Sequence, residues 1–528
     1  MQWTVEFRHH LRSSRRLVFE NIMDLEHVPV VHRRWFRGIR IREQRPDYVA
    51  YRMTSHFFGL RQEVLARGGP VDSDRYWYEF HMPLASARVE GRLEGSDGSL
   101  AQTEHITFTF PLLLAPVFWL LKPLLLAQKR DILECDTKLL EREYALDQSG
   151  FQRRERTGPR IVVYGGNGFF GRLVVEELLR HTDADILVAS RTAKHVNFGS
   201  DQLRVKFAES DLADYGSVLR TIDGASIAIL CGGPFQRMPQ SLLRACIEKR
   251  ISYIDIADDR AFVDAAHSLA PDAEKAGIAA FIGCSVVPGL TSQLTAFSQS
   301  QVGDIQAVEI AISPGTKHPR GPGSFECLLA TAGEQFGDAS ARGWSNPCHV
   351  DFPEPMGKRK VYRVVDIADY FVQPHYFGTR SVDFRIGSEL WFLNAMFSWI
   401  AVLRNKLRMP TRFLVAPSRL VVALAALFGT SQGGVWIRVE GVSNGESREI
   451  EWCVWARERG EIIPAIPAAI AAEMLLAGKI AKKGIVPPDW IDREHLVAEL
   501  AARGVNVATR GNSGDPWRPV SATGRVRD

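Results

Sequence analysis

The chain has 528 residues, too many for one hydrophobic core and enough for about three structural units. Lys and Arg total 65 against 61 Asp and Glu, and a formal charge of +4 without a long basic run gives no reason to expect a nucleic-acid partner. A hydrophobic content of 45% is ordinary for a soluble protein; the seven cysteines include no C-x-x-C, which argues against a zinc module or disulfide framework and fits a reducing cytoplasm. The first residues, MQWTVEFRHHLRSSRR, lack the apolar centre of a signal peptide, so a cytoplasmic location is expected, with association to a membrane left open.

From the start of the chain, Trp3, Val5 and Phe7 alternate as a strand, and Ser13 and Ser14 offer an N-cap for a helix over Arg15–His27. Strands are predicted over Tyr48–Thr54, Gln62–Ala66, Tyr76–Met82, Ala87–Glu94 and Thr103–Phe110, followed by a long helix from about Pro116 to Leu146. This order resembles the START-like helix-grip fold, also seen in polyketide cyclases. The resemblance implies an α+β domain over residues 1–146 whose sheet grips the last helix around an apolar cavity. Within it, Asn21, Asp24, His27 and His32 read N-x-x-D-x-x-H-x-x-x-x-H. That run is similar to the mononuclear iron site of ring-hydroxylating oxygenases, whose catalytic domain shares the fold. The resemblance implies His27 and His32 as iron ligands, with Asp131, in KRDILE, as the carboxylate that completes the triad. The chain has no Cys-x-His and Cys-x-x-His pair to hold that family's electron-supplying cluster. A metal is therefore not favoured, and ligand binding is the expected role of this domain.

Three apolar stretches call for a membrane test: Ile106–Ala127, Leu390–Leu403 and Phe413–Phe428. Each is too short or is broken by Pro or charge, whereas a span needs about 20 apolar residues. They read as core helices or tunnel walls, with peripheral membrane contact as the alternative. Residues 147–158 are polar and aperiodic and read as a linker.

Beyond the linker, Arg160–Lys194 holds a strand, a glycine turn, a helix and a second strand. Val162, Val163 and Tyr164 lead into Gly166, Gly168 and Gly171, the G-x-G-x-x-G spacing whose backbone approaches a pyrophosphate at a helix N-terminus. Gly165, Asn167, Phe169 and Phe170 complete the turn, and Leu173, Val174, Leu178 and Leu179 give the helix its buried face. The strand Ile186–Ala189 ends at Ser190 and Arg191, where an NAD enzyme carries Asp or Glu. Arg191, with Lys194, favours a 2′-phosphate and hence NADP(H). Alternation continues through Val205–Phe207 with Ser210 and Asp211 beside the adenine, then through Ile227–Leu230 into Gly232, Gly233, Pro234 and Phe235 at a strand's carboxyl end. The helix Gln240–Lys249 and the strand Ala279–Ile282 finish a doubly wound half.

GGNGFFG, GGPF, RACIEKRISYIDIADD, GCSVVPGL and the later AAIAAEMLLAGKIAKKGIVPPDWID resemble the saccharopine dehydrogenase and reductase family over about residues 159–510. The resemblance implies an α/β Rossmann-type domain at 159–290, an inserted α+β substrate and dimerisation domain at 291–450, helices returning over 451–510, and a flexible tail at 511–528. A short-chain dehydrogenase would need Tyr-x-x-x-Lys, and here Tyr376 is followed four residues later by Arg380.

The expected chemistry is NADPH-dependent hydride transfer to a C=C, C=O or C=N bond of a hydrophobic, lipid- or polyketide-like small molecule. Tyr253, Asp255, Asp258 and His318 are the candidates for the catalytic proton donor, with capping of the following turn as the alternative for Asp255 and a polar surface turn as the alternative for His318. Two other readings stay open: a lipid-binding or membrane-peripheral protein that keeps a nucleotide fold without turnover, and an iron-dependent activity in the first domain. A homodimer is also left open.

Overall fold

The computed structural model describes residues 1–25, 28–32, 35–45, 47–57, 60–82, 85–148, 158–192, 196, 198, 204–317, 332–335, 342–407, 412–511 and 514–520. The chain divides into two compact units, residues 1–157 with 193–202, and residues 158–192 with 203–528.

In the first unit, β1 (Gln2–Leu11), β2 (Phe36–Arg45), β3 (Tyr48–Phe57), β4 (Leu60–Pro70), β5 (Arg75–Met82), β6 (Ala85–Ser96) and β7 (Ser99–Thr109) form an antiparallel sheet in the order β1-β7-β6-β5-β4-β3-β2. Period-two alternation sends Val49, Tyr51, Met53, Val64, Tyr76, Tyr78 and Ile106 to one face, where they form the core. Helices α1 (Arg15–Met23), α2 (Val28–Val31) and α3 (Ala115–Gln148) complete the unit. Ser14 caps α1 by accepting from the Leu17 amide, and Leu140 of α3 packs with Leu11, Leu17, Val18, Leu93 and Leu100. The helix expected to reach His27 ends at Met23, where Asp24 turns extended. Strand β2 was not legible in the sequence, because bulges at Phe36/Gly38 and Ile41/Glu43 break its alternation and it lies on the sheet edge.

The second unit holds β8 (Arg160–Tyr164), α4 (Phe169–His181), β9 (Asp185–Ser190), β10 (Val205–Glu209), α5 (Tyr215–Ile222), β11 (Ile227–Leu230), α6 (Ser241–Lys249), β12 (Ser252–Asp255), α7 (Arg260–His267), α8 (Ala270–Ala276) and β13 (Ala279–Phe281). With β20 (Gly484–Ile485) the strands make a parallel sheet in the order β10-β9-β8-β11-β12-β13-β20. Strands β8 and β11 are apolar runs rather than alternating ones because helices cover both faces. The strand order reverses between β8 and β11, which is where open α/β sheets bind ligands.

A second sheet comprises β14 (Asp304–Pro314), β15 (Ser345–Asp351), β16 (Lys358–Arg363), β17 (Ser381–Ile386), β18 (Gly433–Ser443), β19 (Glu446–Ala456), β21 (Asn506–Arg510) and β22 (Arg518–Pro519), in the order β15-β16-β17-β14-β18-β19-β21-β22. Around it lie α9 (Thr291–Val302), α10 (Asp369–Phe377), α11 (Trp391–Leu407), α12 (Arg412–Ala425), α13 (Ile466–Leu476) and α14 (Arg493–Ala502). This corrects the expected boundaries. Strand β19 crosses position 450, β21 pairs with β19, and β20 extends the wound sheet, so 451–510 is not a purely helical return. Nor is the whole of 511–528 a loose tail, since Arg518 pairs with Thr509. These strands are short, and β21 ends on Arg510, whose buried guanidinium binds the fully buried Glu451 of β19, so a polar sequence conceals an interior position.

Of the three apolar stretches, the first is divided between β7 and the start of α3, and the other two form most of α11 and α12. No helix among the described residues is long and apolar enough to cross a membrane.

Candidate cofactor and active site

Strand β8 delivers the chain into Gly165, whose φ of +76° lies in the left-handed region. A Cβ there would stand 2.6 Å from the Cα and N of Gly232, so the turns after β8 and β11 touch through bare backbone. At Gly171 a Cβ would lie 2.2 Å from the Gly165 carbonyl oxygen, which allows α4 to start directly against the turn. Gly168 is the N-cap of α4, is exposed and supplies no side-chain cap, so the first amides of the helix remain available to an anion. Gly166 is buried against Val175 and Val188, and Phe169 and Phe170 meet edge to face at 5.0 Å. This glycine cradle, which side chains would fill, fits a dinucleotide pyrophosphate.

At the end of β9, Asn167 donates from Nδ2 to Ser190 Oγ at 2.8 Å, and Ser190 Oγ donates to the Thr192 carbonyl. Arg191 is exposed beside them; Lys194 lies outside the described residues. Asp211 is exposed and holds its own turn by accepting from the Ala213 amide. After β11, Gly232, Gly233 and Pro234 run to Phe235, which is buried edge to face on Phe262 at 5.2 Å. Sequence reasoning missed the clasp beneath the cradle, where Tyr164 and Ser210 hydroxyls meet at 2.8 Å.

The proton-donor candidates fall in different surroundings. Tyr253 is fully buried, and burial pushes its phenol well above the ordinary range. Asp255, also fully buried, accepts from the amides of Ala257 and Gly283 and so fastens the loop after β13 to the end of β12. Burial raises its carboxyl to about 6 despite those hydrogen bonds. Asp258 is reached by solvent, yet desolvation by the protein around it raises its carboxyl to about 6, and its carbonyl accepts from the Ala368 amide. His318 lies outside the described residues. Burial pushes the thiols of Cys246 and Cys284 up, which makes both poor nucleophiles.

A small recess of about 30 Å³ lies at the carboxyl ends of β13 and β20. Phe281, Pro288, Val372, Ile485 and Trp490 give it apolar walls, and His267, Tyr376 and the Cys284 thiol are titratable groups that line it. His267 Nδ1 sits 2.8 Å from the Val263 carbonyl, which only accepts, so Nδ1 carries the proton. Burial lowers the His267 pKa, and the neutral ring then accepts at Nε2 from the Tyr376 hydroxyl at 3.1 Å. Burial pushes Tyr376 up to about 12. Behind the wall, Asp369 accepts from Thr291 Oγ1 and Gln373 Nε2, and Gln373 reaches Ser292, which lines the recess. No sequence signal links His267 to Tyr376, 109 residues away.

In the first unit the expected triad members take separate partners: His32 Nε2 meets Asp136 Oδ1 at 2.9 Å, and Asp131 accepts from the Trp35 indole at 2.6 Å. His27 lies outside the described residues. The interior beside α3 is polar at one point, where Lys129 pairs with buried Glu104 and Tyr76 donates to that carboxylate at 2.6 Å.

Strand order, switch point and glycine cradle define the second unit as carrying a Rossmann-type dinucleotide-binding domain. Residues 161–281 match the family model of the saccharopine dehydrogenase NADP binding domain, and NADP(H) is the cofactor. The match covers the first part of the stretch that resembles the family. A curated relative, the "Lipid droplet localized protein" of Caenorhabditis elegans, is 28% identical over 116 residues, which are 20% of this chain and 27% of that protein. The matched stretch thus spans about a quarter of the worm protein. Among solved structures, the apo saccharopine dehydrogenase (L-Glu forming) of Saccharomyces cerevisiae aligns over 67% of this chain and 100% of its own, at 12% identity and a TM-score of 0.46. A START superfamily protein of Mycobacterium smegmatis aligns over 27% of this chain and 97% of its own, at 13% identity and a TM-score of 0.22.

Proposed function

We propose that the chain is an NADPH-dependent reductase of a hydrophobic substrate, acting on a C=C, C=O or C=N bond. The observation that carries this reading is the glycine cradle, with Ser190 and Arg191 in place of an acidic residue at the ribose end. NADPH, when bound, supplies the hydride. The recess at the carboxyl ends of β13 and β20 lies on the edge of the sheet to which the cofactor loops belong; it is too small to enclose a lipid-like molecule, and its apolar walls suit contact with the reacting end of one. The localisation in the worm relative's name supports the same substrate class. Tyr376 is the proton donor in this reading: its hydroxyl hydrogen, held on His267 Nε2, turns to the substrate atom that gains charge as hydride arrives. Asp255 is a positioning residue that holds the loop at Gly283.

The test follows NADPH oxidation by the full chain with long-chain enoyl thioesters, ketones and imines. At least one class is expected to be reduced, with Tyr376→Phe lowering turnover at least roughly tenfold at unchanged NADPH affinity. NADPH that binds but is oxidised by none of these would refute the reductase reading in favour of a binding protein.

A further inference from the structure

Helix α11 is apolar on both of its sides. Leu393, Phe397, Ile400 and Ala401 face the core, where Phe397 stacks on Trp344 at 4.6 Å. Trp391, Trp399, Val402 and Leu403 lie on the opposite side, with 78% and 68% of the two tryptophans exposed. Helix α12 repeats the arrangement, with Val422 and Ala425 buried while Val421 and Leu424 are exposed, and the turn after it adds Leu427 and Phe428 at 75% and 76%. Positions 391, 399, 402 and 403 fall on one helical face, as do 421 and 424. Large apolar side chains gathered on one exposed side of a helical hairpin mark a surface that something covers.

The charge pattern identifies the cover. Between Trp391 and Phe428 the sequence has Lys406, Arg408, Arg412 and Arg419, besides Arg404, which pairs with Glu334 at 2.8 Å, and no Asp or Glu. A symmetric contact with a second copy would bring two segments of net positive charge together, which is unfavourable. A surface that is apolar beneath and anionic on top suits both features. We infer that the α11–α12 hairpin docks the protein on an anionic lipid surface, lying in the interface with its tryptophans among the headgroups and drawn to the lipid phosphates by the net positive charge of the segment. Neither helix spans the layer, being 17 and 14 residues long. The inference stands apart from the reductase reading, since the cofactor cradle lies on other elements.

The experiment is flotation of the full chain with vesicles of phosphatidylcholine alone and of phosphatidylcholine mixed with phosphatidylserine. The protein is expected to float with the anionic vesicles and, at least roughly tenfold more weakly, with the neutral ones. Raised salt should weaken binding. Trp391→Ser combined with Trp399→Ser alters exposed positions only; it is expected to abolish flotation while thermal unfolding and NADPH titration stay as in the unmutated chain. Absence of flotation with either vesicle, or flotation unchanged in the double variant, would overturn the inference. So would a dimer by light scattering that falls to monomer in the double variant, since a second copy would then be the cover.

Discussion

Two neighbouring glycines should respond to the same substitution in opposite ways. Gly165→Ala forces a side chain onto a residue at φ +76°, which costs about 1–2 kcal/mol in the left-handed region. Its Cβ also meets Gly232 backbone at 2.6 Å, so the two turns must part, at a further cost of about 1–3 kcal/mol for overpacking. Gly168 has φ −77° and ψ 177°, open to any residue, and a Cβ there meets only the Gly165 carbonyl oxygen at 3.1 Å. Gly168→Ala should therefore change stability by less than about 1 kcal/mol, yet its methyl group occupies the exposed mouth of α4 where the pyrophosphate approaches. Urea unfolding should show a loss of roughly 2–5 kcal/mol for Gly165→Ala alone. Calorimetric titration should show NADPH affinity reduced at least roughly tenfold in Gly168→Ala, about 1.4 kcal/mol. Equal stability of the two variants, or unimpaired NADPH binding by Gly168→Ala, would refute the geometry.

Two other perturbations follow from buried charge. Burial raises Asp369 from 3.8 to about 6 in the folded chain, so the folded state keeps a proton that the unfolded state releases; stability is greatest below the unfolded value and falls as pH rises to about 6. Asp369→Asn keeps the acceptor for Thr291 and Gln373, removes this pH dependence, and should exceed the unmutated chain by up to about 3 kcal/mol near neutrality in unfolding measured across this range; identical pH profiles would contradict the assignment. In the first unit, Lys129→Met strands the buried Glu104 carboxylate and should cost about 3 kcal/mol, most of it recovered by adding Glu104→Gln. Additive losses in that double-mutant cycle would show that the two charges act independently.

The part of the fold that was legible is the part whose pattern is local. Val162–Tyr164, the glycines and Leu173–Leu179 lie within one strand–turn–helix unit, and each position's role follows from its neighbours in sequence. Strand β2 escaped because two bulges shift its register, and β20 and β22 because two residues carry no period. The recess escaped for a different reason. Its His267–Tyr376 hydrogen bond joins the end of α7 to α10, and its walls come from β13, α9, α10 and the segment around Trp490, so only folding brings them together. Arg503 shows the same limit: it reads as a surface residue at a helix end, yet it is 1% exposed and binds Glu177, 326 residues away, together with Glu473 and Glu499. Residue chemistry alone likewise did not separate Asp255 from Asp258: desolvation raises both carboxyls to about 6, but one is a buried clamp on Gly283 and the other is reached by solvent.

The central claim is that the cradle after β8 selects NADPH through Arg191. Its most direct measurement is the affinity of the full chain for NADPH and NADH, before and after Arg191→Ala. Charge-assisted pairing with the 2′-phosphate is worth about 1.5–3 kcal/mol, so NADPH should bind roughly ten- to a hundredfold more tightly, and the variant should lose most of that preference while binding NADH unchanged. Equal affinities in the unmutated chain, or a preference that survives Arg191→Ala intact, would contradict the account.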